Sequence, residues 1–373
     1  MSIYTRRRAK LFDWMRRENV ALAIFEDVEG RRDPAIRWLS GHPGDALMAL
    51  TVDRHSMLIP WDMHLAIFHA DAEVVIPYDE FERSSCNAIR GVADYFHTPF
   101  GFRIEIPPQT PYPLFLRYVE TLSDYDVICH EEGSIHAELA ALRSIKDATE
   151  IDLYRRLSSI TNELIELLEN MVRERVITTE LDAALFIEAQ CRKYGCEGTG
   201  FETLVAGPTR SFGIHAFPAS TAGAFATQGL SILDFGVKYQ GYTSDVTLTF
   251  ACPPLSRSQK RLLTLTEKAY NLALGMVGNN VPTLSIASEV DRFFTRATKF
   301  MPHGLGHGIG LEAHEAPAIR NRADNKWVLK PGMIFTLEPG LYDPSHGGCR
   351  LENDLLLTET GVEILTNSRI IYL

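Results

Sequence analysis

The sequence predicts an α/β domain followed by an α+β domain, and three observations carry that expectation. Residues 1 to about 130 alternate helix-like and strand-like stretches, the pattern of a covered sheet. From Glu131 onward the texture changes to long helical tracts. Those tracts surround strand pairs in which single acidic residues interrupt otherwise apolar runs. A chain of 373 residues is long enough for two cores, and we place the domains at 1–132 and 133–373.

In the first domain Tyr4 to Arg17 reads as a helix, with Leu11 and Met15 one turn apart. Val20 to Phe25, Ala46 to Val52, Met57 to Ile59, Val74 to Pro77 and Val127 to Cys129 read as short buried strands. Trp61 to His69, Phe81 to Tyr95 and Leu114 to Leu122 read as helices between them. His42, His55, His64, His69, His97 and His130 have no partner carboxylates at a consistent spacing, so we expect them in surface or core roles.

In the second domain Ile135 to Met171 is a helical tract broken near Lys146-Asp147, where Asp147 or Thr149 can cap a second helix. Thr178 or Thr179 can cap the next, with Glu180 and Asp182 in its first turn, and Gly195 ends it. Ser256 to Met276 and Thr283 to Phe300 complete the helices, and two further strand pairs close the chain.

The formal net charge of −11 excludes the concentrated basic patch that a nucleic-acid partner calls for. No apolar run approaches a membrane span. Arg6 to Arg8 are not followed by an uninterrupted apolar segment, so no secretory signal is expected. The six cysteines, Cys191 and Cys196 among them, match no zinc or redox spacing. Reduced thiols in a cytoplasmic protein are the expectation.

The chemistry begins at LSILDFGVKYQGYTSDVTLTF, Leu230 to Phe250. Two apolar-patterned runs flank Tyr239-Gln240-Gly241, and symmetric pairing about the point between Tyr239 and Gln240 sets Asp234 opposite Asp245. Their side chains then lie about 5 Å apart. Two ionised carboxylates there repel by roughly 3 kcal/mol at an effective dielectric near 20, so a proton or a cation has to hold them. MIFTLEPGLYDPSHGGCRLENDLLL repeats the pattern: about a midpoint at Ser345, inside a turn rich in Asp, Pro, Ser and Gly, Glu338 faces Glu352. One opposed acid pair is compatible with an ordinary polar strand face; two in one domain are harder to dismiss.

Between the hairpins lies PHGLGHGIGLEAHEAP, with His303, His307 and His314 threaded through four glycines, Gly304, Gly306, Gly308 and Gly310. A helical metal motif is excluded, since a helix interior loses roughly 1 kcal/mol per glycine. The glycines instead let backbone approach closely and aim imidazoles into a site. Four carboxylates and one imidazole form a hard, oxygen-rich set suited to Mn, Fe or Co at least as well as Zn. Two divalent ions cancel the four negative charges, carboxylates can bridge them, and a shared water becomes acidic enough to supply hydroxide. Metal-assisted hydrolysis is the implied chemistry.

These residues resemble the metallopeptidases of the pita-bread fold, which include aminopeptidase P, prolidase and methionine aminopeptidase. The resemblance covers nearly the whole chain and is strongest in LDFGVKYQGYTSDVT, PHGLGHGIGLEAHE, PGMIFTLEPGLY and GCRLEND, in the family's order. LRSIKDATEIDLYRRLSSI, Leu142 to Ile160, is similar to the linker and first helix of the catalytic domain. The N-terminal region is similar to the extra creatinase-like domain of the aminopeptidase P, prolidase and creatinase branch.

The resemblance implies Asp234, Asp245, His307, Glu338 and Glu352 as metal ligands, with Asp245 and Glu352 bridging two divalent ions, manganese for preference and Co, Fe or Zn as alternatives. It implies cleavage before a proline at the second position by a hydroxide held between the ions, with Glu338 managing the proton. His215, in VAGPTRSFGIHAFP, and His314 then donate hydrogen bonds to the substrate and its tetrahedral intermediate, while His303 and Arg350 orient ligands or contact substrate. Arg350 can equally well pair with a local carboxylate. A peptide substrate, a homodimer, and neither nucleic acid nor membrane as partner complete the implication. Two positions depart from the family: Leu248 stands where an arginine is frequent, and Ala318, with Arg320 and Arg322 nearby, stands where dipeptide-trimming prolidases hold the substrate carboxylate. A metal-dependent non-peptidase hydrolase or lyase on the same fold, and a non-catalytic peptide-binding module, are the alternative functions.

Overall fold

The computed structural model describes residues 2–373. The chain divides into two compact units, Met1–Leu142 and Arg143–Leu373, later than the boundary at residue 132 read from the sequence. The helix Ile135–Ser144 carries the division. Its first residue belongs with the first unit, because Ile135 N–H donates to the buried Glu105 carboxylate at 2.7 Å.

The first unit is built on a six-stranded sheet in the order Val74–Val75, Ser56–Pro60, Ala46–Thr51, Val20–Asp27, Arg103–Glu105, Asp126–Ile128. The three central strands pair antiparallel and the outer ones parallel. Val20–Asp27 is buried along its whole length, which is why it reads as a continuous apolar run rather than an alternating one. Three elements lie outside the sequence reading, the helix Ala35–Ser40, the 3-10 turn Tyr78–Phe81 ahead of a helix that starts at Ser85, and the strand Arg103–Glu105. The last carries two charges in three residues that form an ion pair, Arg103 to Glu105 at 2.5 Å. Together the alternating helices and strands make the expected α/β unit.

In the second unit three of the four long helices start on side-chain caps, Thr283–Arg296 being the exception. Asp147 caps Ala148–Arg173, Thr179 caps Glu180–Lys193 and Ser256 caps Arg257–Leu274, each with a reciprocal bond from the third helical residue. Such caps contribute about 1 kcal/mol each. The helices Arg257–Leu274 and Thr283–Arg296 cover one face of the strands, burying Phe294, Phe335, Leu337 and Leu355 in the main core. Two larger sheets share that unit with a three-stranded and a two-stranded one. One runs Ile370–Tyr372, Val246–Cys252, Gly229–Phe235, Leu204–Ala206; the other Glu315–Ile319, Gly306–Gly308, Ile334–Leu337, Asn353–Thr358, Gly361–Ile364. A backbone bridge from Thr247 to Glu352 joins them. Helices packed on largely antiparallel strands make this the α+β unit. No helix among the described residues is long and apolar enough to cross a membrane.

The acidic hairpin near the C-terminus keeps the anticipated register: Ile334 pairs with Leu356, Leu337 with Asn353 and Gly340 with Arg350, all centred on Ser345. The first hairpin does not. Tyr239 pairs with Tyr242 and Asp234 with Thr247, so Asp245 is not directly opposite Asp234. The turn is the two residues Gln240 and Gly241, both at positive φ, 49° and 87°. That is the turn geometry that matches the twist of paired strands. The displacement is two residues in register, and side chains alternate with a period of two, so Asp245 stays on the face of Asp234 as its diagonal neighbour.

Candidate metal centre

Every residue singled out from the sequence, Asp234, Asp245, His307, Glu338, Glu352, His215, His303, His314 and Arg350, lines one cavity of about 300 Å³. The elements that bring them there are short and close-packed. Gly306 and Gly308 belong to a strand, where a Cβ would strike the backbone oxygen of Thr336 or of Ala316. Glycine there lets three strands close up, and His307 between the two points into the cavity.

Asp245, His307 and Glu352 each offer a ligand atom, and these atoms lie within 4.8 Å of one another. The two acids and Glu338 are held above the ordinary carboxylate range. Burial raises Asp245, then Glu352 and Asp234 beside it; burial raises Glu352, then Glu338 and Asp234. Glu338 is pushed up to about 8 by burial and Asp234, against the opposing pull of Arg350.

His307 sharpens the requirement. Its Nδ1 lies 3.1 Å from the Gly308 carbonyl, an acceptor only, so Nδ1 carries the proton. Burial, with His314 adding, pulls the ring down to about 3, and it is neutral. Its Nε2 lone pair therefore faces Glu338 Oε1 at 3.4 Å and Asp245 Oδ2 at 3.7 Å. Lone pairs converging from a nitrogen and two carboxylates repel unless a proton or cation lies among them. Nδ1–H bonded to a backbone carbonyl is the tautomer that ligating histidines adopt. The donor set fits divalent cations.

Around this core the supporting bonds are largely ones that the sequence did not reveal. Arg350 is buried and spent: Nη2 donates to Asp234 Oδ2 at 2.5 Å, Nε to Thr247 Oγ1 at 2.9 Å, and Nη1 to Ile214 O at 3.1 Å and Tyr342 OH at 2.9 Å. Thr247 Oγ1 in turn donates to Glu352 Oε2 at 2.7 Å. The Tyr342 hydroxyl then donates to His303 Nε2 at 2.9 Å, while His303 Nδ1 donates to Gly304 O at 2.8 Å. Both ring nitrogens of His303 are thus committed within the protein. Asp234 Oδ1 keeps no partner within the protein. Asp354, fully buried, accepts from Asp245 N–H at 3.2 Å and fixes the backbone of that acid. Thr247 could have been found from the turn, since it is Asp234's true partner; Tyr342 and Asp354 sit inside the quoted motifs but carry no spacing signal.

His215 rides on the loop after Leu204–Ala206, and Glu180 closes that loop. The Glu180 carboxylate accepts from Gly207 N–H at 2.7 Å, Thr221 N–H at 2.8 Å and Thr221 Oγ1 at 2.6 Å, and pairs with Arg210. His314 stacks at 45° on His307, with ring centroids 4.2 Å apart. Leu248 is wholly buried and pairs with Leu233, on the strand face away from Asp234. Ala318 pairs with His307, and Arg320 and Arg322 lie against Asp324, at 3.3 and 3.6 Å, rather than on the cavity wall.

Buried carboxylates converging with a neutral imidazole in one cavity are the mark of a metal-dependent enzyme class. Residues 152–359 match the model of metallopeptidase family M24, and the chain belongs to that family. An uncharacterized peptidase of Methanocaldococcus jannaschii is 30% identical over 258 residues, 69% of this chain and 70% of that relative. The crystal structure of an X-Pro aminopeptidase from Thermotoga maritima matches with a TM-score of 0.84 at 25% identity, covering 98% of this chain and 99% of that one. An Xaa-Pro dipeptidase from Bacillus anthracis matches in fold with a TM-score of 0.84 at 21% identity, over 99% of this chain and 100% of that one.

Proposed function

We propose that this metallopeptidase holds two divalent ions, manganese by preference, and cleaves the peptide bond before a proline at the second position of its substrate. The observation that carries the proposal is the convergence of four acids and a neutral imidazole, with lone pairs facing one another, in a single cavity. Asp234, Asp245, His307, Glu338 and Glu352 would hold the ions, Asp245 and Glu352 as the shared ligands. When bound, the ions supply an acidified water and polarise the scissile carbonyl.

The chain's own residues do the rest. Glu338, whose Oε1 lies 3.4 Å from His307 Nε2 on the cavity wall, is placed to receive a proton from the nucleophile and return it to the leaving amine. His215 and His314 are the wall's donors for the oxygen of the tetrahedral intermediate. Arg350, Tyr342 and His303 hold Asp234 and one another in place. X-Pro aminopeptidase and Xaa-Pro dipeptidase among the solved structures of like fold support the choice of substrate. Because Arg320 and Arg322 are engaged by Asp324, a substrate carboxylate finds no arginine where dipeptidases of this family keep one. We therefore extend the proposal to tripeptides and longer chains.

The test is to incubate manganese-loaded protein with Xaa-Pro and Xaa-Pro-Yaa peptides and identify products by mass. Release of the first residue, faster from the longer peptides, is the expected result. No cleavage of either with Mn, Co, Fe or Zn overturns it.

A further inference from the structure

We propose that Glu202 is a specificity-determining residue whose carboxylate pairs with a cationic group on the substrate residue preceding the scissile bond, a proposal that rests on the peptidase reading above. Glu202 lines the same cavity as the five acidic and imidazole donors, yet is exposed where they are buried or half-buried. It has no hydrogen bond or ion pair with any described residue. Among the described residues, the single arginine or lysine on the wall is Arg350, and its donors are spent on Asp234, Thr247, Ile214 and Tyr342. The wall therefore holds one carboxylate that neither the chain nor the donor cluster neutralises.

That carboxylate is also held in place. On one side of it Gly200 N–H bonds to Gly236 O at 2.9 Å, and the Phe201 ring packs so closely on Gly236 that a Cβ there would lie 2.8 Å from it. On the other side Leu204 pairs with Asp234 itself. Glu202 is thus strung between two anchors on the strand that carries Asp234. Its cavity neighbours Phe201, Leu204 and Ile214 are apolar, so a cation reaching Glu202 passes its alkyl stem along apolar surface. A charge pair formed at this exposed carboxylate is worth roughly a fivefold preference. Two groups on a peptide's first residue have this chemistry, the side-chain cation of arginine or lysine and the α-ammonium.

The experiment compares the manganese-loaded wild type with Glu202→Gln on Arg-Pro-Pro, citrulline-Pro-Pro and Nα-acetyl-Arg-Pro-Pro, citrulline being the uncharged isostere of arginine. In parallel, calorimetry measures binding of arginine amide, citrulline amide and Nα-acetylarginine amide, which needs no turnover. Wild type should favour a charged ligand over its neutral counterpart about fivefold in kcat/KM and in Kd, and Glu202→Gln should bring that ratio near one. Loss of the arginine-to-citrulline ratio identifies the side-chain cation; loss of the free-to-acetylated ratio identifies the α-ammonium. Wild-type ratios near one, or ratios in Glu202→Gln within twofold of wild type, overturn the proposal. If no peptide is cleaved but the binding ratios respond, the peptidase reading falls and the role of Glu202 stands.

Discussion

Beside Glu315, buried charges answer one another within the chain. Arg143 pairs with Glu315 and, at 3.0 Å, with Glu312, and Lys146 reaches the other Glu315 oxygen at 3.4 Å. Burial works to raise Glu315, but Arg143 and Lys146 outweigh it and hold the carboxyl below its usual range. In the cavity of the same unit, Asp234, Asp245, Glu338 and Glu352 share one guanidinium, Arg350, and Asp245, Glu338 and Glu352 are held above the ordinary range. Burial is common to both clusters, so burial does not distinguish them. The first cluster is complete as folded and serves to fix the strand that begins at Glu315, next to His314. The second is an acid-rich cage that the chain itself does not neutralise.

The largest effect should come from cutting the cage. Asp245→Ala should lower kcat/KM at least ten-thousandfold, above about 5 kcal/mol of transition-state stabilisation, and weaken uptake of both ions while the fold survives by circular dichroism. Breaking the self-sufficient cluster should do the reverse. Glu315→Gln strands Arg143 and Lys146 in the interior and should cost about 3–5 kcal/mol of stability in denaturant unfolding.

The two clusters should also carry opposite pH signatures. Glu315 sits below its reference value of 4.5, so its contribution is present above that value and is lost as pH falls through its folded pKa. Glu338 sits near 8, above its reference value of 4.5, so in chelator-treated protein its contribution is present below 4.5 and is lost as pH rises toward 8. The unfolding free energy of chelator-treated protein from urea melts should therefore fall from pH 6 to pH 8.5, by on the order of a few kcal/mol, and added manganese should reverse the slope. Glu338→Gln should make it shallower, with Asp245 and Glu352 still raised by burial.

The smallest effect tests a carboxylate that the chain neutralises on behalf of the cavity. Glu180→Gln faces an amide group toward the donors of Arg210 and Thr221 and should lower kcat/KM about tenfold, within the 1–3 kcal/mol of a mispaired buried donor. In a His215→Ala background the same change should have little further effect, because Glu180 acts through the loop that carries His215. Full additivity of the two changes would show that the loop is not the route.

What the sequence made legible depended on how local the cause was. Asp147, Thr179 and Ser256 are helix caps because a side chain reaches a backbone N–H three residues on, and that is visible in any window. The hairpin centred on Ser345 was readable because Asp343 to Gly348 is a turn by composition. The other hairpin was misplaced by one residue at its centre because Gln240 adopts positive φ without being glycine. Both acid pairs survived that error, since alternation keeps the face even when the register slips. Glu180 was invisible as a support because its partners lie tens of residues away in sequence, as from Glu180 to Thr221, and Thr247 was missed with the turn that pairs it with Asp234.

The contrast between the self-neutralised and the cation-dependent cluster comes down to a count of ions. Chelator-stripped protein titrated calorimetrically with Mn(II), with elemental analysis of the saturated product, should take up two ions per chain. Glu315→Gln should retain both, and Asp245→Ala should retain neither tightly. Saturation at a single ion, or uptake by Asp245→Ala equal to that of wild type, would contradict an acid cage built for two external cations.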